Sequence, residues 1–156
     1  MKKILLIIFF FYIFFINLYA EDINWEKLVN IVIQIESGGN PYAVSSAGCI
    51  GLMQISRAVY KEYVDNTDYI CSNCDGLLFN PDLNRTIGTW YLKRIWYHYL
   101  PHYKIPQMID NLLIGYNWGI GNLNKWYKNG AKKNQLPKET KDYIKKYHKL
   151  MKGEDK

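Results

Sequence analysis

Apolar positions recur at spacings of three and four along most of the chain. Trp25, Leu28, Val29, Val32 and Ile35 form the first such stripe, which predicts a helix buried along one face. Asn24 stands where a cap would stand, and Gly38-Gly39 ends the run. After the loop "NPYAVSSAG" comes a short apolar piece, "CIGLMQI". Ser56 is placed to cap a second helix, "RAVYKEYV", and residues 65–79 read as irregular. Asn80-Pro81 is a cap followed by proline at a first helical position. The helix it opens is expected to run through Ile87, Trp90, Tyr91, Arg94, Ile95 and Tyr97 to Leu100, with Pro101 ending it. Pro106 is expected to open "PQMIDNLLIGYNWG", stopped by Gly119. "GNLNKWYKNG" reads as a short helix, and Pro137 opens the last one, "PKETKDYIKKYHKLM". No segment alternates as a half-buried strand does, so the fold class is mainly α with at most a small hairpin within residues 40–50.

Residues 1–20 fall outside this pattern. Lys2 and Lys3 precede thirteen uninterrupted apolar residues, Ile4 to Ile16, and Ala20 follows before "ED". A charged start, an apolar stretch and a small residue are the order of a secretory signal, with cleavage expected after Ala20. Thirteen apolar residues are fewer than the ~20 of a spanning helix, so an uncleaved anchor is the alternative. The expected organisation is a signal peptide at 1–20 and one domain at 21–156, exported to the periplasm. An apolar fraction of 49% suffices for a core, and 14 Tyr, 5 Trp and 6 Phe could serve both a core and a groove. In an oxidising compartment Cys49, Cys71 and Cys74 allow a disulfide whose pairing the sequence leaves open. "CSNC" has metal-site spacing but lacks a second pair, which argues against zinc.

The whole chain carries 20 basic and 14 acidic residues, so loss of Lys2 and Lys3 would leave 18 − 14 = +4. Residues 125–156 hold eleven lysines against four acids. Such a segment suits an anionic partner or is a solvated helix face. Export disfavours nucleic acid and leaves a wall polymer or lipid headgroups.

Glu36 is the one acid between Ile35 and Ser56. It ends an apolar helix, where the helix dipole and apolar neighbours both favour the protonated carboxyl, as a general acid requires. An ordinary surface glutamate is the plain alternative. The wider pattern decides between them. "ESGGNPYAVSSAGCIGLMQI", "LNRTIGTWYL", "GYNWGIGN" and "LPKETKDYI" occur in that order. Together they resemble the soluble-type bacterial lytic transglycosylases, relatives of goose-type lysozyme, over residues 24–147.

The resemblance implies a lysozyme-like single domain with a glycan-binding groove and no metal or cofactor. It implies cleavage of the β-1,4 bond between N-acetylmuramic acid and N-acetylglucosamine in peptidoglycan, leaving 1,6-anhydro ends. Glu36 occupies the position of the family's single catalytic carboxylate, where most glycosidases use two. Ser37 is expected to brace the acid or its loop. Ser45, Met53 and Gln54 match groove residues that meet substrate, although Ser45 could equally form a turn. Gly51 would let backbone approach the glycan. Tyr116 and Asn117 match a Tyr-Asn pair whose tyrosine hydroxyl lies near the acid; Gly115 departs from the usual alanine before them. Glu139 and Tyr143 match the Glu-Thr-x-x-Tyr block on the substrate side, Glu139 having the alternative of complementing a helix N-terminus. Small relatives of this kind often serve secretion or conjugation machines. A muramidase on the same fold is the nearest rival, with Asp65, Asp68 and Asp75 as candidate second acids. A non-catalytic glycan-binding scaffold is the rival of another class.

Overall fold

The computed structural model describes residues 23–69 and 75–153, apart from the side chain of Asp75. The expected signal at 1–20, Cys71 and Cys74 lie outside the described residues. Six helices make the frame: α1 Trp25–Glu36, α2 Arg57–Asp65, α3 Pro81–Arg94, α4 Ile109–Asn117, α5 Ile120–Lys128 and α6 Lys138–Met151. Three starts are set by local caps. The side chains of Asn24, Ser56 and Asn80 accept from the N–H groups of Lys27, Val59 and Leu83. The domain is mainly α, as the periodicity predicts. The hairpin expected within 40–50 is reduced to isolated bridges, Val44 with Ile50 and Ile50 with Ile55. The segment read as irregular at 65–79 ends in a 3-10 turn, Asp75–Phe79.

Two proline expectations are corrected. Pro101 does not end its helix: α3 passes through a π-helical turn, Ile95–Tyr99, into a last short turn, Leu100–His102. The Leu100 N–H reaches back five residues to the Ile95 carbonyl. In this wider register a residue at 101 would bond the Trp96 carbonyl, and proline has no N–H to do so. The Gln107 side-chain amide takes that carbonyl instead, at 2.9 Å. Pro106 does not open α4 either, which begins at Ile109. The Pro106 carbonyl accepts from the Asn111 side chain at 2.9 Å and so lies across the helix start.

Leu28 and Val32 of α1, Ile87 and Leu92 of α3, Leu112 and Leu113 of α4, and Tyr143 and Tyr147 of α6 are buried together. α1 and α6 run antiparallel. Lys27 Nζ donates to the Met151 carbonyl at one end, and Glu36 meets Tyr143 at the other. Among the described residues no helix is long and apolar enough to cross a membrane.

Candidate active site

Glu36 is the last residue of α1. Gly38 and Gly39 follow at φ 62° and 85°, left-handed values that glycine adopts without a Cβ penalty, and they turn the chain back towards the helix end. The loop that follows is held by an unusual division of labour. Each of four consecutive carbonyls, Ile50 to Met53, accepts from a side chain, and the four side chains come from four places in the fold. Asn84 Nδ2 of α3 donates to the Ile50 carbonyl at 2.8 Å. Gln54 Nε2 donates to the Gly51 carbonyl at 3.0 Å and to the Ala43 carbonyl at 3.2 Å. The Ser37 hydroxyl, 2.8 Å from the Leu52 carbonyl, links the end of α1 to the loop. The Tyr116 hydroxyl of α4 donates to the Met53 carbonyl at 2.8 Å. Backbone N–H groups reach two of the four carbonyls, Ile55 to Ile50 and Gln54 to Gly51, and side chains supply the rest.

Asn84 is the residue that sequence reasoning missed. Its side chain is buried, accepts from the Met53 N–H at 2.8 Å and also donates to the Leu78 carbonyl at 2.8 Å. The signal was present: Asn84 lies three, four and seven residues before Ile87, Gly88 and Tyr91, all on the buried stripe. A polar residue on such a stripe must find internal partners. Asn84 also accounts for Gly51, which sits at φ 82°. A Cβ there would lie 2.2 Å from Asn84 Nδ2 and 2.5 Å from the Leu78 carbonyl oxygen. The close approach that requires glycine on this side is to Asn84 and Leu78.

Among the site residues one expectation changes. Met53 does not line a groove with its side chain, which is fully buried against Gly88, where a Cβ would come within 2.4 Å of Met53 Sδ. Its contribution is the backbone held by Asn84 and Tyr116. Tyr116 lies near the acid, close enough to feel the Glu36 charge, but the hydroxyl bonded to the acid belongs to a second tyrosine. Tyr143, buried on α6, donates to Glu36 Oε1 at 2.8 Å, whereas Tyr116 spends its hydroxyl on Met53.

The remaining candidates are placed as follows. Ser45 Oγ accepts from the Cys49 N–H at 3.0 Å, closing a turn. Asn117 Oδ1 accepts from the buried Thr140 hydroxyl at 2.8 Å, which ties the end of α4 to the first turn of α6. Glu139 is exposed in that first turn and within electrostatic reach of Glu36. Asp65 pairs with Lys61 on the surface at 2.6 Å, and Asp68 is exposed. Glu62, a half-buried carboxylate, is held by Tyr99 and by Arg94 at 3.1 Å.

Burial is the main influence on Glu36 and pushes its pKa from 4.5 up to about 7. The Tyr143 hydrogen bond opposes this, the Glu139 charge adds to it, and Lys146 pulls it down. Both phenols near the acid, Tyr116 and Tyr143, are held protonated well above the usual tyrosine range, first by burial and then by the Glu36 charge. The site can therefore present a protonated carboxyl at neutral pH, recover it as a carboxylate, and keep the tyrosines as hydrogen-bond donors.

Comparison with known proteins identifies a family. The family model described as Transglycosylase SLT domain matches residues 14–138, a span that includes Glu36, Gln54 and Tyr116 and stops before Glu139 and Tyr143. The chain is 34% identical over 113 residues to an endo-type membrane-bound lytic murein transglycosylase A of Citrobacter koseri, covering 69% of this chain and 54% of that protein. Similar proteins of the same name come from Cronobacter sakazakii, 32% identical over 108 residues with 68% and 53% covered, and Salmonella paratyphi B, 35% identical over 112 residues with 68% and 53% covered. The chain thus spans about half the length of the curated relatives it matches.

Proposed function

The chain belongs to the transglycosylase SLT family, and from that premise we propose that it is a peptidoglycan lytic transglycosylase with Glu36 as its catalytic acid and base. The observation that carries the proposal is the half-buried Glu36 carboxyl, titrating at about 7 and held by Tyr143. Glu36 gives its proton to the leaving oxygen as the bond to C1 of N-acetylmuramic acid breaks. The substrate's own acetamido group stabilises the charge left at C1. The resulting carboxylate takes the proton of the same sugar's 6-hydroxyl, whose oxygen closes on C1. Ser37, Gln54 and Tyr116 hold the loop that flanks this reaction, while Ser45, Asn117 and Glu139 line the substrate side. The expected setting is the periplasm after removal of residues 1–20, with a secretion or conjugation apparatus as the machine served.

A muramidase on this fold would use water where the lyase uses the 6-hydroxyl. Intramolecular attack has effective molarities up to about 10⁵ M or more in well-oriented cases, which favours the tethered hydroxyl. Digestion of purified peptidoglycan in heavy-oxygen water separates the two. Products are expected to end in 1,6-anhydro sugar, to carry no label and to resist borohydride. Label at the new sugar ends would make the protein a muramidase.

The acid role also predicts a pH profile. Activity should decline as pH rises through about 7, where Glu36 loses its proton. Tyr143→Phe removes a hydrogen bond that favours the carboxylate, so the descending limb should move to higher pH. A limb that stays put or moves down would remove Tyr143 from its role in setting the acid.

A further inference from the structure

Tyr143 meets Glu36 only when α6 enters the fold at the right height and rotation. The start of α6 has no side-chain cap, with Pro137 at the cap position. Leu136, Tyr143 and Tyr147 are buried, but the attraction that buries them is non-directional. A tie with a direction comes from the Thr140 hydroxyl, which donates to Asn117 Oδ1 at 2.8 Å. Thr140 is buried in the first turn of α6, nearly one turn before Tyr143, so the two share a face of the helix.

The other partner is itself fixed. Asn117 ends α4, and Tyr116 beside it donates to the Met53 carbonyl at 2.8 Å. Gly115 seats this helix end closely, since a Cβ there would lie 3.2 Å from Ile95 Cγ2 and 3.4 Å from Leu123 Cδ2. Two consecutive residues of α4 thus hold the loop after α1 and the helix that carries Tyr143.

We infer that Thr140 is a positioning residue: by bonding Asn117 it sets the height and rotation of α6 at which the Tyr143 hydroxyl meets Glu36. This inference rests on the reading of Glu36 as the acid. The groups that act on the Glu36 charge are Tyr143, Glu139 and Lys146, all on α6. Tyr116 of α4 feels that charge and is itself influenced by Tyr91 of α3 and Cys49 of the loop. Because α6 also carries Glu139 and Lys146, the test is repeated without the Tyr143 hydroxyl.

Ionisation of Glu36 is read directly in the full chain by carbon-13 NMR of its carboxyl, assigned with Glu36→Gln. Tyr143→Phe is expected to raise the midpoint above the wild-type value of about 7. Thr140→Val, nearly isosteric but without the hydroxyl, should raise it by roughly 0.3–1 pH unit, as a weakened or lost hydrogen bond allows. Thr140→Ser restores the donor and should keep the wild-type midpoint. His148→Ala cuts another tie between α6 and α4, at 2.7 Å to Asp110, and should keep it too. In the Tyr143→Phe background Thr140→Val should add no further shift. Asn117→Ala breaks the same bond from the α4 side and replaces Thr140→Val if that variant does not fold. The inference is overturned if Thr140→Val or Tyr143→Phe leaves the midpoint in place, or if Thr140→Ser or His148→Ala moves it as far. A Thr140→Val shift that persists without the Tyr143 hydroxyl overturns it as well. If the wild type releases no anhydro ends, the proposed reaction fails, and the midpoints still decide whether Thr140 aims Tyr143.

Discussion

Glu36→Gln is expected to fold normally and to lose wall lysis by about 10²–10⁴-fold, the usual contribution of a positioned general acid. The swap is close to isosteric, and its side-chain oxygen can still accept from Tyr143. Stability supplies an independent readout. The native carboxyl binds its proton more tightly than an ordinary glutamate, about 7 against 4.5. Wild-type stability should therefore fall as pH rises from about 4.5 to about 7 and level off above that. Glutamine does not titrate, so the variant should melt higher than wild type at pH 8, with the gap narrowing towards pH 4.5. Wall clearing by the purified variant at wild-type speed would remove Glu36 from the chemistry. A melting difference that does not depend on pH would remove its burial from the account.

Asn84→Ala is expected to produce the largest loss of stability, about 3–5 kcal/mol. It strips the partners of the Met53 N–H and the Leu78 carbonyl, and one of two donors to the Ile50 carbonyl, which keeps the Ile55 N–H at 2.9 Å. Each buried group left unsatisfied costs about 1–3 kcal/mol, and totals above about 4 are uncommon for one substitution. At about 2–4 °C per kcal/mol for a chain of this length, the melting temperature should drop by roughly 6–20 °C. Asn84→Asp tests the cause. It keeps an acceptor for Met53 but turns an oxygen towards two carbonyl oxygens, so it should be no better than alanine. A drop of only ~2 °C for either variant would show that the loop has other support. Gly51→Ala should be destabilising by a related route, through a left-handed φ and contact with the same side chain.

Helix starts were legible because their causes are local. Asn24, Ser56 and Asn80 each bond an N–H three residues on, and a local pattern reveals a local bond. The π turn and the late start of α4 were not legible, because they depend on Gln107 meeting Trp96 eleven residues back and on Asn111 reaching Pro106. For the candidate site, the sequence pointed to side chains more than to what they bond. Ser37, Gln54 and Tyr116 each bond a carbonyl of the loop at 51–53, and Tyr116 feels the Glu36 charge. Ser37 braces the loop as expected, whereas the partners of Gln54 and Tyr116 were not legible, since a motif names a polar side chain without saying what takes its proton. Met53 misled for the same reason: its backbone carries the geometry while its thioether sits in the core.

The four side-chain-held carbonyls of Ile50–Met53 bear on the order in which the chain folds. Three of their donors lie far away in sequence: Ser37 is 15 residues from Leu52, Asn84 is 34 from Ile50, and Tyr116 is 63 from Met53. None of these bonds can form until α1, α3 and α4 have docked, because each needs a distant helix already in place. These long-range bonds are thus expected to form late and to show low φ-values, whereas local backbone bonds such as Ile55 N–H to Ile50 need no docked helix. Substitutions that weaken the long-range bonds act mainly by hastening unfolding and leave the folding rate almost untouched.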